Sequence, residues 1–240
     1  MRIGIYTGNV FPDAGGAYAL IETIKKDIIE SDCVYDIFFV FDNDQAPSRF
    51  IKDNIVCINI ANKAGRFIRV IRKILLRFGW WNKPVVLDDF LQAENTDLLW
   101  ILGPYKLETS IPYVFTVWDL GHRMLPCFPE VSVYGGRQWE EREALYQKML
   151  PKATYIITGN ETGKQEILAN YPVSPDKIKT IPFPISNFCF DQEVSPLDNI
   201  KKPFVFYPAQ FWAHKNHVSI IEALAWLRDT KKIVIYGYFV

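Results

Sequence analysis

Phe204-Val205-Phe206-Tyr207-Pro208-Ala209-Gln210-Phe211-Trp212-Ala213-His214-Lys215-Asn216-His217 is the stretch whose reading decides the fold. Its first four residues are an apolar run between two prolines, the pattern of a buried strand. From Val218 to about Arg228 the apolar positions recur at helical spacing, with Asn216 as N-cap. Ile233–Tyr236 reads as a second strand, so the segment is a strand–helix–strand unit. Lys215 lies in the loop just ahead of the helix. A cation beside the free N–H groups of a helix start suits a phosphate. The plainer reading is a solvated loop lysine, and the position before the helix favours the phosphate.

Working outward, strand and helix patterns alternate through the rest of the chain. Strands are expected at Ile3–Thr7, Val34–Phe41, Ile55–Ile60, Leu98–Leu102, Tyr113–Val117, Tyr155–Thr158 and Ile178–Ile181. Helices are expected at Ala17–Glu30, Gly65–Phe78, Pro84–Glu94, Gly136–Leu150 and Glu161–Asn170. Such alternation predicts an α/β, Rossmann-like, doubly wound and mainly parallel sheet covered on both faces. Pro182, Pro184, Pro196 and Pro203 then punctuate a stretch with Ser, Asn and Asp. The expected organisation is a first domain at 1–185, a linker at 186–202, and the start of a second Rossmann-like domain at 203–240.

Bulk properties narrow the function classes. The 240 residues correspond to one or two domains at roughly 150 each. The 27 basic and 27 acidic residues cancel, so global charge gives no reason to expect a nucleic-acid partner. The four cysteines (33, 57, 127 and 189) are far apart and form no CxxC, which suggests a reduced cytoplasmic protein with buried thiols. Met1–Tyr6 runs straight into a strand and is no signal peptide. No apolar run approaches the ~20 residues needed to span a bilayer.

Several motifs together resemble family-4 glycosyltransferases of the GT-B fold. They are Tyr207–His217 followed by Ile221-Glu222-Ala223-Leu224, Val117-Trp118-Asp119-Leu120-Gly121-His122 with Phe128-Pro129-Glu130, Ile157-Thr158-Gly159-Asn160-Glu161 with Lys164, and the pair Gly15-Gly16. The resemblance implies two Rossmann-like domains, with the acceptor mainly on the first and a nucleotide-sugar on the second. It implies retaining transfer of a hexose to a glycan or lipid-linked acceptor, in cell-surface polysaccharide synthesis, with no cofactor and no obligatory metal. Lys215 matches the position that contacts the donor diphosphate, where a fixed ammonium stabilises the charge that builds on the leaving group. Gln210 stands where the family often has Arg; glutamine can donate a hydrogen bond but brings no charge.

The remaining candidates have a chemical and a plain reading side by side. Gly15 and Gly16 would let backbone approach the donor phosphate closely, or simply form a strand–helix turn. His122 follows the Tyr113–Val117 strand on the carboxyl edge, where ligands bind in open α/β sheets, and is the catalytic candidate. Asp119 and Glu161 are acceptor-side or sugar-side candidates, although Asp119 also suits a turn cap and Glu161 a helix dipole. His214 and His217 could suggest a metal, but two histidines without a third ligand fit ordinary hydrogen bonding better.

From Asn54 to Leu87 only basic charges occur, and Phe67, Val70, Ile71, Ile74, Leu75 and Phe78 recur at helical spacing before Trp80-Trp81. This basic helix near 65–78 reads either as a surface helix packed on the sheet or as one lying on an anionic membrane at the inner face of the cell. The family carries paired glutamates, E-x7-E, beyond the Lys215 position. The sequence stops at Val240 before any such pair, so this chain alone is expected to be truncated and deficient in transfer. A non-catalytic membrane- or partner-binding module and a nucleotide-sugar epimerase are the alternative readings. A nicotinamide-binding enzyme is disfavoured because Gly8, Gly15 and Gly16 do not form GxGxxG.

Overall fold

The structure, a computed structural model, describes residues 1–12, 15–42, 49–52, 55–60, 85–132, 137–185 and 199–239. Its contacts divide the chain into two compact units, Met1–Leu120 with Glu143–Phe190 and Gly121–Arg142 with Asp191–Val240. The basic segment 65–78 lies outside the described residues. Among the described residues no helix is long and apolar enough to cross a membrane.

The first unit is built on an eight-stranded sheet. In chain order its strands are β1 (Arg2–Tyr6), β2 (Asp36–Phe41), β3 (Arg49–Lys52), β4 (Ile55–Asn59), β5 (Leu98–Ile101), β6 (Tyr113–Val117), β7 (Tyr155–Thr158) and β8 (Ile178–Thr180). The spatial order is β3-β4-β2-β1-β5-β6-β7-β8, parallel throughout except for the β3–β4 hairpin. The chain therefore winds outward from β1 to one side, crosses over to β5, and winds to the other side. This is the expected doubly wound, Rossmann-like arrangement, with its switch point between β1 and β5.

Side-chain alternation along these strands makes two apolar layers. On one face Phe38, Val40, Leu99, Ile101 and Phe115 pack with Leu91 of α2 (Val85–Ala93), Tyr146 of α5 (Arg137–Met149) and Ile167 of α6 (Glu161–Asn170). On the other, Ile5, Phe39 and Cys57 meet Ile21 and Ile24 of α1 (Gly16–Glu30). Strands apolar on both faces are what a parallel sheet under helices requires.

In the second unit β9 (Phe204–Tyr207) and β10 (Tyr236–Phe239) pair in parallel through α7 (His217–Trp226). The short helices α3 (Gly121–Met124) and α4 (Pro129–Ser132) group with them. Three sequence expectations shift. The final strand begins at Tyr236 rather than Ile233, because a π-type turn over Leu227–Lys231 and a left-handed Lys232 (φ 59°) use up the chain that precedes it. Strand β3 carries only Phe50 and Ile51 as apolar residues, too short a pattern to stand out. Of the thiols, Cys57 is buried but Cys33 and Cys127 are exposed, since each sits in a connection rather than a strand.

Three phenols, Tyr6 and Tyr113 buried and Tyr105 half-buried, tie first-unit stability to pH. Burial pushes the Tyr105 and Tyr113 hydroxyls up to about 12, and burial with the nearby Asp42 charge pushes Tyr6 higher still. Above the ordinary value near 10, tyrosines of the unfolded chain lose protons that the folded chain keeps. Stability is thus fully present below about pH 10 and falls as pH rises toward 12. Denaturant titrations at pH 8, 10 and 11.5 should show the midpoint dropping slightly by pH 10 and several times more over the upper interval.

Candidate functional site

The carboxyl edge of the first sheet is organised around Tyr105. Gly8, just past β1, has φ 67°, and a Cβ there would lie 2.2 Å from the Tyr105 ring. Tyr105 donates its hydroxyl to the Thr7 carbonyl at 2.9 Å and meets Tyr6 edge-on at 5.2 Å. Trp118 donates its indole N–H to the Leu102 carbonyl at 2.7 Å. At the switch point between β1 and β5 the Tyr105 ring thus packs over Gly8 and Tyr6, anchored by its bond to Thr7. Nothing local marks Tyr105 in the sequence; its role depends on a contact with a residue 98 positions away.

Of the candidates in this unit, Gly15 is the N-cap of α1 with φ 60°, and Gly16 opens the helix with nothing within 4 Å of where a Cβ would sit. Among the described residues nothing covers the Cβ position of Gly16 at the start of α1, which suits a closely approaching ligand. Asp119 follows β6 at the carboxyl edge and its carbonyl accepts the Tyr146 hydroxyl at 3.1 Å. Glu161 opens α6, where its carboxylate accepts the Thr180 hydroxyl at 2.6 Å and complements the helix dipole. Asn160 caps that helix, accepting the Gly163 N–H at 2.8 Å. Gly15 and Gly16 belong to the α1 start, whereas Asp119 and Glu161 belong to the β6 and β7 ends.

The remaining candidates fall in the second unit. Lys215 is exposed and ends a 3-10 turn, Ala213–Lys215, whose C-cap Asn216 is left-handed (φ 51°, ψ 48°). The Asn216 side chain accepts the Ser219 N–H at 3.4 Å, so Asn216 is the expected N-cap of α7. The Tyr207 hydroxyl donates to the Lys215 carbonyl at 2.9 Å, tying the loop to the end of β9. Gln210 holds the Trp212 indole N–H through its amide oxygen at 2.8 Å.

His217 is structural. It is buried, its Nε2 lies 3.0 Å from the Ala209 carbonyl, and its ring stacks on Phe211 at 4.5 Å and meets Tyr207 at 5.0 Å. His214 meets Phe128 edge-on at 6.2 Å. Among the described residues no group of three or more His, Cys, Asp or Glu side chains is placed to share a metal ion.

His122, in α3, is fully buried and 6.3 Å from the Trp139 ring. It lines a cavity of about 210 Å³ with Gln138, Arg142, Trp212 and His214. Arg142, Trp139 and Trp212 were not singled out by the sequence. The helical pattern of α5 accounts for the first two as ordinary surface positions, and only folding brings them to the imidazole.

No protein-family model matches the chain, and no curated protein matches it in sequence. Among solved structures, a glycosyltransferase from Rickettsia africae aligns with a TM-score of 0.53 at 16% identity, over 99% of this chain and 59% of that one. A sucrose-phosphate synthase from Thermosynechococcus elongatus aligns with a TM-score of 0.45 at 11% identity, over 76% of this chain and 48% of that one. The chain thus spans roughly half the length of these two structures. The rickettsial likeness establishes a shared fold: an α/β, Rossmann-like sheet of the kind found in that glycosyltransferase.

Proposed function

We propose that the chain carries the acceptor-side domain and the opening of the donor-side domain of a nucleotide-sugar-dependent glycosyltransferase of the GT-B type. One observation carries the reading: Lys215 is exposed in the loop between the end of β9 and the Asn216-capped start of α7, with its backbone carbonyl held by the Tyr207 hydroxyl. The fold shared with the rickettsial glycosyltransferase supports it.

In this proposal the donor diphosphate lies against Lys215, and Gln210 adds a neutral hydrogen bond in place of a second cation. The acceptor oxygen bonds to the anomeric carbon as the bond from that carbon to the diphosphate breaks. The hydroxyl proton passes to the departing diphosphate, and configuration is retained. Charge grows on the leaving oxygens during this step, so the ammonium acts more strongly in the transition state than before it. His122 would hold a hydroxyl of the transferred sugar. In the first unit, Gly15 and Gly16 would offer backbone N–H groups to a phosphate, and Asp119 and Glu161 would bond acceptor hydroxyls. Family-4 membership, a hexose donor, a glycan or lipid-linked acceptor in surface polysaccharide synthesis, and attachment to an anionic inner membrane face complete the proposal.

Titration with nucleoside diphosphates tests it. A charge-assisted hydrogen bond contributes about 1.5–3 kcal/mol, so Lys215→Ala should weaken the best-binding diphosphate at least about tenfold. Lys215→Arg should keep most of the affinity, and binding of the corresponding uncharged nucleoside should not change. Equal diphosphate affinity in wild type and Lys215→Ala overturns the reading.

A further inference from the structure

The six residues that line the cavity of about 210 Å³ beside His122 all belong to the second unit: His122, Val131, Gln138, Arg142, Trp212 and His214. Each polar side chain among them can donate. A guanidinium is a permanent cation with a fork of N–H groups, an imidazole keeps an N–H in either protonation state, and an amide adds its NH₂. Among the described residues no carboxylate lines this cavity. Glu140 lines a neighbouring hollow with Trp139 instead. Glu141 and Glu143 stand beside Arg142 in the α5 sequence, where helix neighbours do not face each other. Walls that donate, with one fixed positive charge among them, suit an oxyanion.

Size and place narrow the anion. The volume is below the about 300–1,000 Å³ of sites for drug-sized ligands, which leaves room for one sugar ring and none for a nucleotide. His214 directly precedes Lys215 in the Ala213–Lys215 turn, so one wall of the cavity is a single residue from the lysine assigned to the donor diphosphate. The Trp212 indole N–H is taken by the Gln210 amide oxygen at 2.8 Å, so Trp212 offers the cavity an apolar ring surface. Arg142 supplies the only permanent charge in the lining, the match for a monoanion rather than for a phosphate near two negative charges.

We propose that this cavity selects a donor whose sugar carries a carboxylate, a hexuronosyl group, and that Arg142 is the residue that reads it. The carboxylate at C6 takes the forked guanidinium bond, which a neutral hydroxymethyl group cannot replace. His122, His214 and Gln138 bond the ring hydroxyls, and Trp212 covers the C–H face of the ring. The inference rests on the transfer reading above and narrows its hexose to one oxidised at C6.

NMR titration of the whole chain with glucose 1-phosphate, glucuronate 1-phosphate and glucose 1,6-bisphosphate, which differ only at C6, tests the proposal. The galacto and manno counterparts are titrated alongside, and the comparison is made in the series that holds the tightest binder. The uronate should bind at least about tenfold more tightly than the neutral sugar, the gain expected of a charge-assisted pair, and more tightly than the bisphosphate. Arg142→Gln should remove this preference and leave the neutral sugar 1-phosphate within about twofold of wild type. Arg142→Lys keeps the charge without the fork and should retain only part of the preference. The proposal is overturned by equal affinity for uronate and neutral sugar, by tightest binding of the bisphosphate, or by a preference undiminished in whichever of the two variants folds. Every ligand carries the same 1-phosphate, so the ratio does not depend on Lys215. The nucleoside diphosphate titration of Lys215→Ala can therefore fail while this ratio holds, and the reverse.

Discussion

Gly8→Ala is expected to destabilise the first unit by about 3 kcal/mol, an estimate summed from three sources. The left-handed backbone at position 8 costs an L-residue roughly 1 kcal/mol that glycine avoids. The new Cβ would also stand 2.2 Å from the Tyr105 ring, so the ring must leave. Its departure breaks the hydrogen bond to the Thr7 carbonyl, worth about 1 kcal/mol, and the edge-to-face pair with Tyr6, worth about 0.5–1.5 kcal/mol. For a unit of this size the melting temperature should fall by roughly 6–12 °C. A double-mutant cycle separates the parts. Tyr105→Ala alone loses the same ring contacts, so adding Gly8→Ala should cost only the backbone strain. Additive effects in a thermal melt followed by circular dichroism would show that the ring and the glycine are not coupled.

Tyr146→Ala should have an effect at least as large. The residue is fully buried, packs against Phe115 at 6.2 Å and Tyr171 at 5.9 Å, and its hydroxyl donates to the Asp119 carbonyl at 3.1 Å. Truncating a buried aromatic costs about 3–5 kcal/mol because the space it leaves closes only in part. Tyr146→Phe keeps the packing and loses only the hydrogen bond, about 1 kcal/mol. The ratio of the two losses in urea denaturation is the informative quantity. A Phe variant as damaged as the Ala variant would mean that the hydrogen bond outweighs the packing. Because the bond ends on Asp119, the Phe variant also shows how far the β6 carboxyl end depends on α5 for its position.

The sequence was most legible where pattern and punctuation agreed. Tyr113–Val117, Tyr155–Thr158, Glu161–Asn170 and Phe204–Tyr207 have the expected bounds, because each is an apolar run or helical repeat flanked by a turn residue or cap. The parallel order followed from the alternation itself. What could not be read depends on distant partners. Tyr105 is an unremarkable loop tyrosine until Gly8 and Thr7 come beneath it. The start of β10 is set by pairing with β9, Tyr236 opposite Phe204, rather than by the β-branched Ile233-Val234-Ile235 that attracts a strand assignment. At the candidate site, the Asn216 cap and the loop position of Lys215 ahead of α7 were legible because capping is local chemistry. The surroundings of His122 were not, because Trp139, Arg142 and Trp212 come from a helix and a loop far away in the chain.

The strand that decided the fold also sets how the chain behaves when concentrated. Among the described residues β9 pairs only with β10, and Phe204, Val205 and Phe206 are all exposed. Unpaired strand edges that carry apolar side chains are templates for sticking to further copies. Directly ahead of β9 stand Lys201, Lys202 and Pro203, with the Lys201 ammonium 5.3 Å over the Tyr236 ring. Charge repels an incoming strand and proline withholds the N–H that would extend the ladder, so this tripeptide acts as a gatekeeper against aggregation.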